Sequence, residues 1–203
     1  MIGHHRSDRG QAFPIYIVMV AGLLFLVFAF FAVGKASALR NGSQGAADSA
    51  ALAAAQAARA DFETGFMASL PEKMLDTFLA APFVVPCGAA QSFASDNDAD
   101  VVKCGPPEIV PRFDRITVEV EGRKAVDSSV IPGTKRTFAK AEATAVIEFR
   151  CDWQSFDFND DGSQDLYVFS CGKAGVVKIE PFGVNAPWSE ISKVLFDVRL
   201  VDK

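Results

Sequence analysis

The sequence predicts an α+β protein: a long N-terminal transmembrane helix with an alanine-rich extension, then an antiparallel sheet with one or two short helices, braced by disulfides. Three observations carry this. From Gly10 to Gly34 there is no charged residue. Ten of the fifteen residues from Ala46 to Ala60 are alanine. Beyond Arg115 the hydrophobic period changes from that of a helix to two, the period of a strand. With 203 residues, the chain is long enough for one domain plus appendages.

Composition excludes several functions. There are 20 basic and 25 acidic side chains, a net charge of -5, which lacks the basic face a nucleic-acid binder needs. The two histidines, His4 and His5, precede the apolar segment, so any domain beyond Gly34 contains none. Ser-His-Asp and Cys-His nucleophiles and most zinc sites are thereby removed. No residue is assigned as catalytic, and no enzyme activity is expected.

The apolar run Phe13–Val33 has the roughly 20 residues needed to cross a ~30 Å hydrocarbon core. Pro14 suits the first helical turn, where its missing amide costs nothing, and Tyr16 suits the interface. A cleaved signal peptide with a cut between Ser37 and Ala38 competes, but its apolar core would be shorter, ~7–15 residues. Flanking charge decides little, since Arg6 and Arg9 before the span balance Lys35 and Arg40 after it. The cysteines decide orientation. Cys87, Cys104, Cys151 and Cys171 all follow the span, with no CxxC pair. An even, widely spaced set reads as a disulfide framework outside the reducing cytosol. Expected segments are a cytoplasmic leader (1–12), the span (13–34), an alanine-rich helical stalk (35–66) and an extracellular α+β domain (67–203).

Two readings of the alanine tract stand side by side. Its small residues offer a face that a neighbouring helix can approach closely, or they make a solvated stalk that is helical through alanine alone. Gly42 and Gly45 predict a kink between span and tract.

The order of these parts carries a resemblance. A short basic leader, Arg9-Gly10, an apolar helix, Leu39-Arg40 and then Ala46-Ala47-Asp48-Ser49-Ala50-Ala51-Leu52-Ala53-Ala54-Ala55 resemble the N-terminal module of TadE/TadG-type proteins of the tight-adherence (Flp) pilus system. The opening from Arg9 to Ile17 is similar to the actinobacterial branch. The resemblance implies a minor pilin-like structural or assembly subunit in the cell membrane, partnered by pilin-like proteins through its N-terminal helix. Prepilins are cut after a glycine with a glutamate five residues on. Here that position holds Ile15, so the resemblance runs toward the TadG side, with the leader retained.

In the external domain, Ser69 to Leu79 predicts a short helix capped by Ser69, with Pro71 and Glu72 in its first turn. A helical turn is expected from Gly88 to near Asn97. Arg115–Glu121 alternates, with Ile116, Val118 and Val120 on one face. Phe138–Phe149 is a second strand, after a turn at Pro132-Gly133-Thr134. Shorter strands follow at Leu166–Ser170 and Val176–Ile179, and Val194–Val201 closes the sheet, preceded by a helical turn at Ser189–Lys193. Four cysteines allow three pairings, of which Cys87–Cys104 and Cys151–Cys171 are the local choices. Trp153 and Trp188 read as packing residues. Asp96, Asp98 and Asp100 lie in a polar loop that offers nothing to tune them for acid–base work, and Arg123-Lys124 and Lys135-Arg136 read as solvated turn charges.

One stretch suggests a ligand. Asp157-Phe-Asn-Asp-Asp-Gly-Ser-Gln-Asp165 fits D-x-N-x-D-G-x-x-D, in which Asp157, Asn159, Asp161, Ser163 and Asp165 would offer oxygens to calcium. Val168 stands where a bidentate glutamate is expected, and strands flank the loop, so it is no EF-hand. It resembles the hairpin calcium loops of FG-GAP repeats. An acidic hairpin tip closed by an Asp-Gly turn, needing no ion, is the alternative; a membrane-tethered adhesion domain using this loop is the rival function.

Overall fold

The computed structural model describes residues 12–110, 113–126 and 137–201. The leader, the Pro132–Thr134 turn, Lys135 and Arg136 lie outside the described residues. Helix α1 runs from Ala12 to Ser69 without interruption, 58 residues or about 87 Å at 1.5 Å per residue. It passes through Gly42 and Gly45 as helix. Alanine supplies the propensity on both sides, and the glycines cost only about 1 kcal/mol each.

Two further helices follow, α2 (Leu75–Leu79) and α3 (Cys87–Asp96). The helix expected to start at Ser69 starts six residues later. Ser69 ends α1 instead, its hydroxyl donating to the Phe66 carbonyl at 2.7 Å. Pro71 then falls in the connecting turn, where its missing amide interrupts no helix. At Gly65 a Cβ would stand 2.8 Å from Cε2 of Phe78, so only glycine lets α2 lay that ring against the α1 backbone.

Strands β1 (Ala99–Cys104), β2 (Glu108–Val110), β3 (Phe113–Val126), β4 (Thr137–Phe149) and β8 (Phe196–Val201) form an antiparallel sheet. Its order is β1-β3-β4-β8, with β2 sharing the β1 edge of β3. A second antiparallel sheet contains β5 (Asp152–Phe156), β6 (Leu166–Ser170) and β7 (Val176–Ile179) in that order. Helix α4 (Trp188–Leu195) leads directly into β8. Strands β1 and β2 were not anticipated: both are short edge strands without clear alternation. The bridges are Cys87–Cys104, tying α3 to β1, and Cys151–Cys171, tying the ends of the β5–β6 hairpin.

The alanine tract is neither a solvated stalk nor a free face. Ala46, Ala47, Ala50, Ala51, Ala54, Ala55 and Ala58 are fully buried, in one core with Ile116, Val118 and Val120 of β3 and Ala145 and Ile147 of β4. Small side chains stand on both sides of the contact. Strand β4 and the helix are commensurate. Ser43 donates to the Ala139 carbonyl and Gln44 to that of Glu142, while at the other end Phe66 meets Phe196, which packs on Phe149. From Ser43 to Phe66 the helix rises about 35 Å, and from Ala139 to Phe149 the strand rises about 34 Å. The far end of the core is aromatic: Phe66 touches Phe78, Phe169, Trp188 and Phe196. Trp188 also donates its indole N–H to the Arg59 carbonyl at 3.1 Å, and Trp153 packs edge-on to Phe149.

Overpacking tests this interface. Ala54→Leu is expected to lower stability by about 1–3 kcal/mol, because neither helix nor sheet can retreat alone. Ala60→Leu, on the exposed side of the same helix, leaves stability within about 0.5 kcal/mol. Denaturant melts of the two variants in detergent check the difference.

Candidate functional site: an exposed anchor and a phenylalanine-lined acid

Helix α1 has two halves with opposite surroundings. Its first part has a mean hydropathy of 2.8 over its most apolar window, and none of that window is buried within the chain. Phe13, Tyr16, Phe25, Phe28, Phe30 and Phe31 are all more than 60% exposed. A helix buried in a water-soluble core would not leave this much apolar area uncovered. The helix is long and apolar enough to cross a membrane. The Ser37–Ala38 bond lies within the same unbroken helix, and six residues further on Ser43 is already buried.

The acidic loop joins β5 to β6. Asp157 accepts from the amides of Asp160 (2.8 Å) and Gly162 (2.9 Å), Asn159 from that of Asp161, Asp161 from that of Ser163, and Asp165 from that of Phe158. Asp160 and Gly162 both have positive φ, of 60° and 88°, so these hydrogen bonds hold a turn of uncommon backbone conformation. The side chains expected to offer oxygens to an ion also accept from the loop's own amides, and the Ser163 N–H donates to Asp161. Among the described residues no group of three or more His, Cys, Asp or Glu side chains is arranged to hold a metal ion. Elsewhere, Asp98 and Asp100 are paired, at 2.6 Å each, with Lys124 and Arg123. Hydrogen bonds from those cations hold both carboxyls below the usual range, which makes them poor proton donors at neutral pH.

The residue that sequence reading missed is Asp114. It lines a cavity of about 160 Å³ with Phe62, Phe78, Phe83, Phe149 and Phe196. Its Oδ1 is buried without a hydrogen-bond partner. Burial pushes its carboxyl up to about 6. The signal was present: Asp114 is in phase with Ile116, Val118 and Val120, the inward face of β3. An acid at an inward position of an alternating strand calls for a reason.

Two predictions follow from these geometries. Because Asp114 binds its proton more tightly folded than unfolded, stability declines as pH rises from about 4 to about 6 and is level above that. The loss is on the order of 1 kcal/mol once solvent screening of this partly exposed group is allowed for. Asp114→Asn is expected to remove that slope and raise the melting temperature at pH 7, read by calorimetry across the range. In the loop, Asp157→Ala removes acceptors from two amides and is expected to cost about 1 kcal/mol. The lowered melting temperature should appear in chelator as well as in millimolar calcium.

No curated protein and no solved structure matches the chain. Residues 10–57 match the model of the Flp pilus-assembly TadE/G-like family. That match ends within the buried alanine face, one residue before Ala58. The part of the chain similar to that family is thus the apolar stretch and the first part of the core helix, and the rest of the head lies outside the match.

Proposed function

We propose that this chain is a single-pass, membrane-anchored, non-enzymatic component of a Flp pilus assembly system, minor pilin-like, with its N-terminus cytoplasmic and its disulfide-braced head outside the cell. One observation carries this reading: a single continuous helix is bare over its apolar 13–33 stretch and, from Ser43 onward, buries one face in the head. Lipid or the apolar helices of pilin-like partners would cover the bare part. Because the helix continues without a joint, a pull or tilt on the span is transmitted directly to the head, which suits a mechanical role. The two disulfides support an external head, since such bonds persist outside the reducing cytosol.

Two measurements test the proposal. In intact cells a membrane-impermeant protease is expected to remove the head and leave a protected N-terminal fragment; a protected head overturns the orientation. Deleting the gene in its native host is expected to abolish or strongly reduce Flp-type filaments, with recovery by the intact chain. A version carrying the head behind a cleavable signal, without the 13–34 span, should not restore them. Unchanged filaments after deletion overturn the assembly role.

A further inference from the structure

The length of helix between the span and the head decides what the head can touch. The apolar run 13–33 rises about 32 Å, enough to fill ~30 Å of hydrocarbon, and the headgroup layer adds ~5–8 Å on each side. Ser43, which donates to the Ala139 carbonyl, is ten residues past Val33, about 15 Å along the axis. Helix and strand run side by side from there to Phe66 and Phe149, so the other end of β4 points back toward the span. Phe138 and Thr137 therefore lie about 12 and 8 Å beyond Val33, at or just above the headgroups. Lys124 of β3 is at the same level. It shares a cavity of about 180 Å³ with Ala38, Leu39 and Gly42 of α1, residues about 8 to 14 Å past Val33.

The side chains at this height suit a bilayer surface. Phe138 is 40% exposed, out of phase with the core-facing Ala143, Ala145 and Ile147. Lys35 and Arg40 are exposed on α1. Arg123 and Lys124 are paired with Asp100 and Asp98, so four cations stand here against two carboxylates, in a chain whose net charge is -5. The acids collect at the opposite end. Asp157, Asp160, Asp161 and Asp165 belong to the loop whose Gln164 amide donates to the Pro71 carbonyl, beyond Ser69 and so more than about 50 Å past Val33. Anionic headgroups attract the first end and repel the second. We propose that the span-side end of the head is a lipid-contact surface, seated on anionic headgroups through Lys35, Arg40, Lys124 and Phe138. The head then stands directly on the bilayer, with no free stalk between them. This rests on the membrane-anchored reading and goes beyond it, since anchoring alone requires no contact between head and lipid.

The experiment places the full chain alone in vesicles of phosphatidylcholine and phosphatidylglycerol that contain a lipid with a nitroxide on its headgroup. All four cysteines are bridged, so a single introduced cysteine takes the only fluorophore. A label at Phe138→Cys, or at Lys124→Cys, is expected to lose most of its emission to the nitroxide, while one at Phe158→Cys in the acidic loop keeps its emission. A seven-residue helical insertion after Ser37, close to two turns, lifts the head by about 10 Å with little rotation and should restore the emission at 138. Quenching at 138 should also be weaker in vesicles of phosphatidylcholine alone. Equal emission from 138 and 158, or quenching at 138 that survives the insertion, overturns the lipid contact and leaves the anchoring reading standing. Quenching indifferent to phosphatidylglycerol overturns the anionic preference. Release of the chain from the vesicles by an alkaline wash overturns anchoring and contact together.

Discussion

The alanine face of α1 seated on β3 and β4 is the contact on which the rest of the molecule depends. Alanine against alanine and β-branched residues lets a helix and a sheet lie close from Ala46 to Ala58, about 18 Å of helix, and the strand is long enough to continue under Phe62 and Phe66. The close approach is possible only because both partners are small there. Larger side chains enter at the far end, where Phe62 and Phe66 splay the layers apart and fill the gap with rings. The second sheet, α2 and α4 all pack around that aromatic end. Tyr167 anchors the second sheet to the end of α1 by donating to the Leu70 carbonyl at 2.7 Å.

The same contact joins the apolar stretch to the head. A transmembrane helix joined to a domain by a loop lets the two move independently. Here the helix that carries the apolar stretch is also the central element of the domain core, and no loop separates the two. The TadE/G-like match covers this coupling element and ends inside it. Within the head one disulfide ties α3 to β1 at a half-buried position, and the other is buried in the core at the ends of the hairpin that carries the acidic loop.

The candidate site was less legible than the fold, for identifiable reasons. Four acidic and amide side chains at loop spacing resemble ligands, because both ion binding and turn closure require short oxygen-bearing side chains at alternate positions. Sequence spacing does not separate the two. In the structure Asp157, Asn159, Asp161 and Asp165 all accept backbone hydrogen bonds of their own loop. Asp114 was overlooked for the opposite reason: a single acid at a strand's start reads as an edge residue. Its neighbours Phe62, Phe78 and Phe83 come from the stretch before the sheet and Phe196 from the far end of the chain.

By itself the sequence determined the apolar helix, the helicity of the alanine tract and the long strands of an antiparallel sheet, while the division into two sheets and the choice among three cysteine pairings came from the structure. These follow from local quantities: run length, propensity, period and spacing. Only the tertiary structure decided what the alanine face lies against, where α1 ends, and which acid is buried. A stripe of alanine is equally suited to another helix, to water or to a sheet, and its apolar area is too small to choose among them. The choice came from β3 and β4, whose own inward faces of Ile116, Val118, Val120, Ala145 and Ile147 needed a cover of matching length. Helix α1 was the element long enough to provide it.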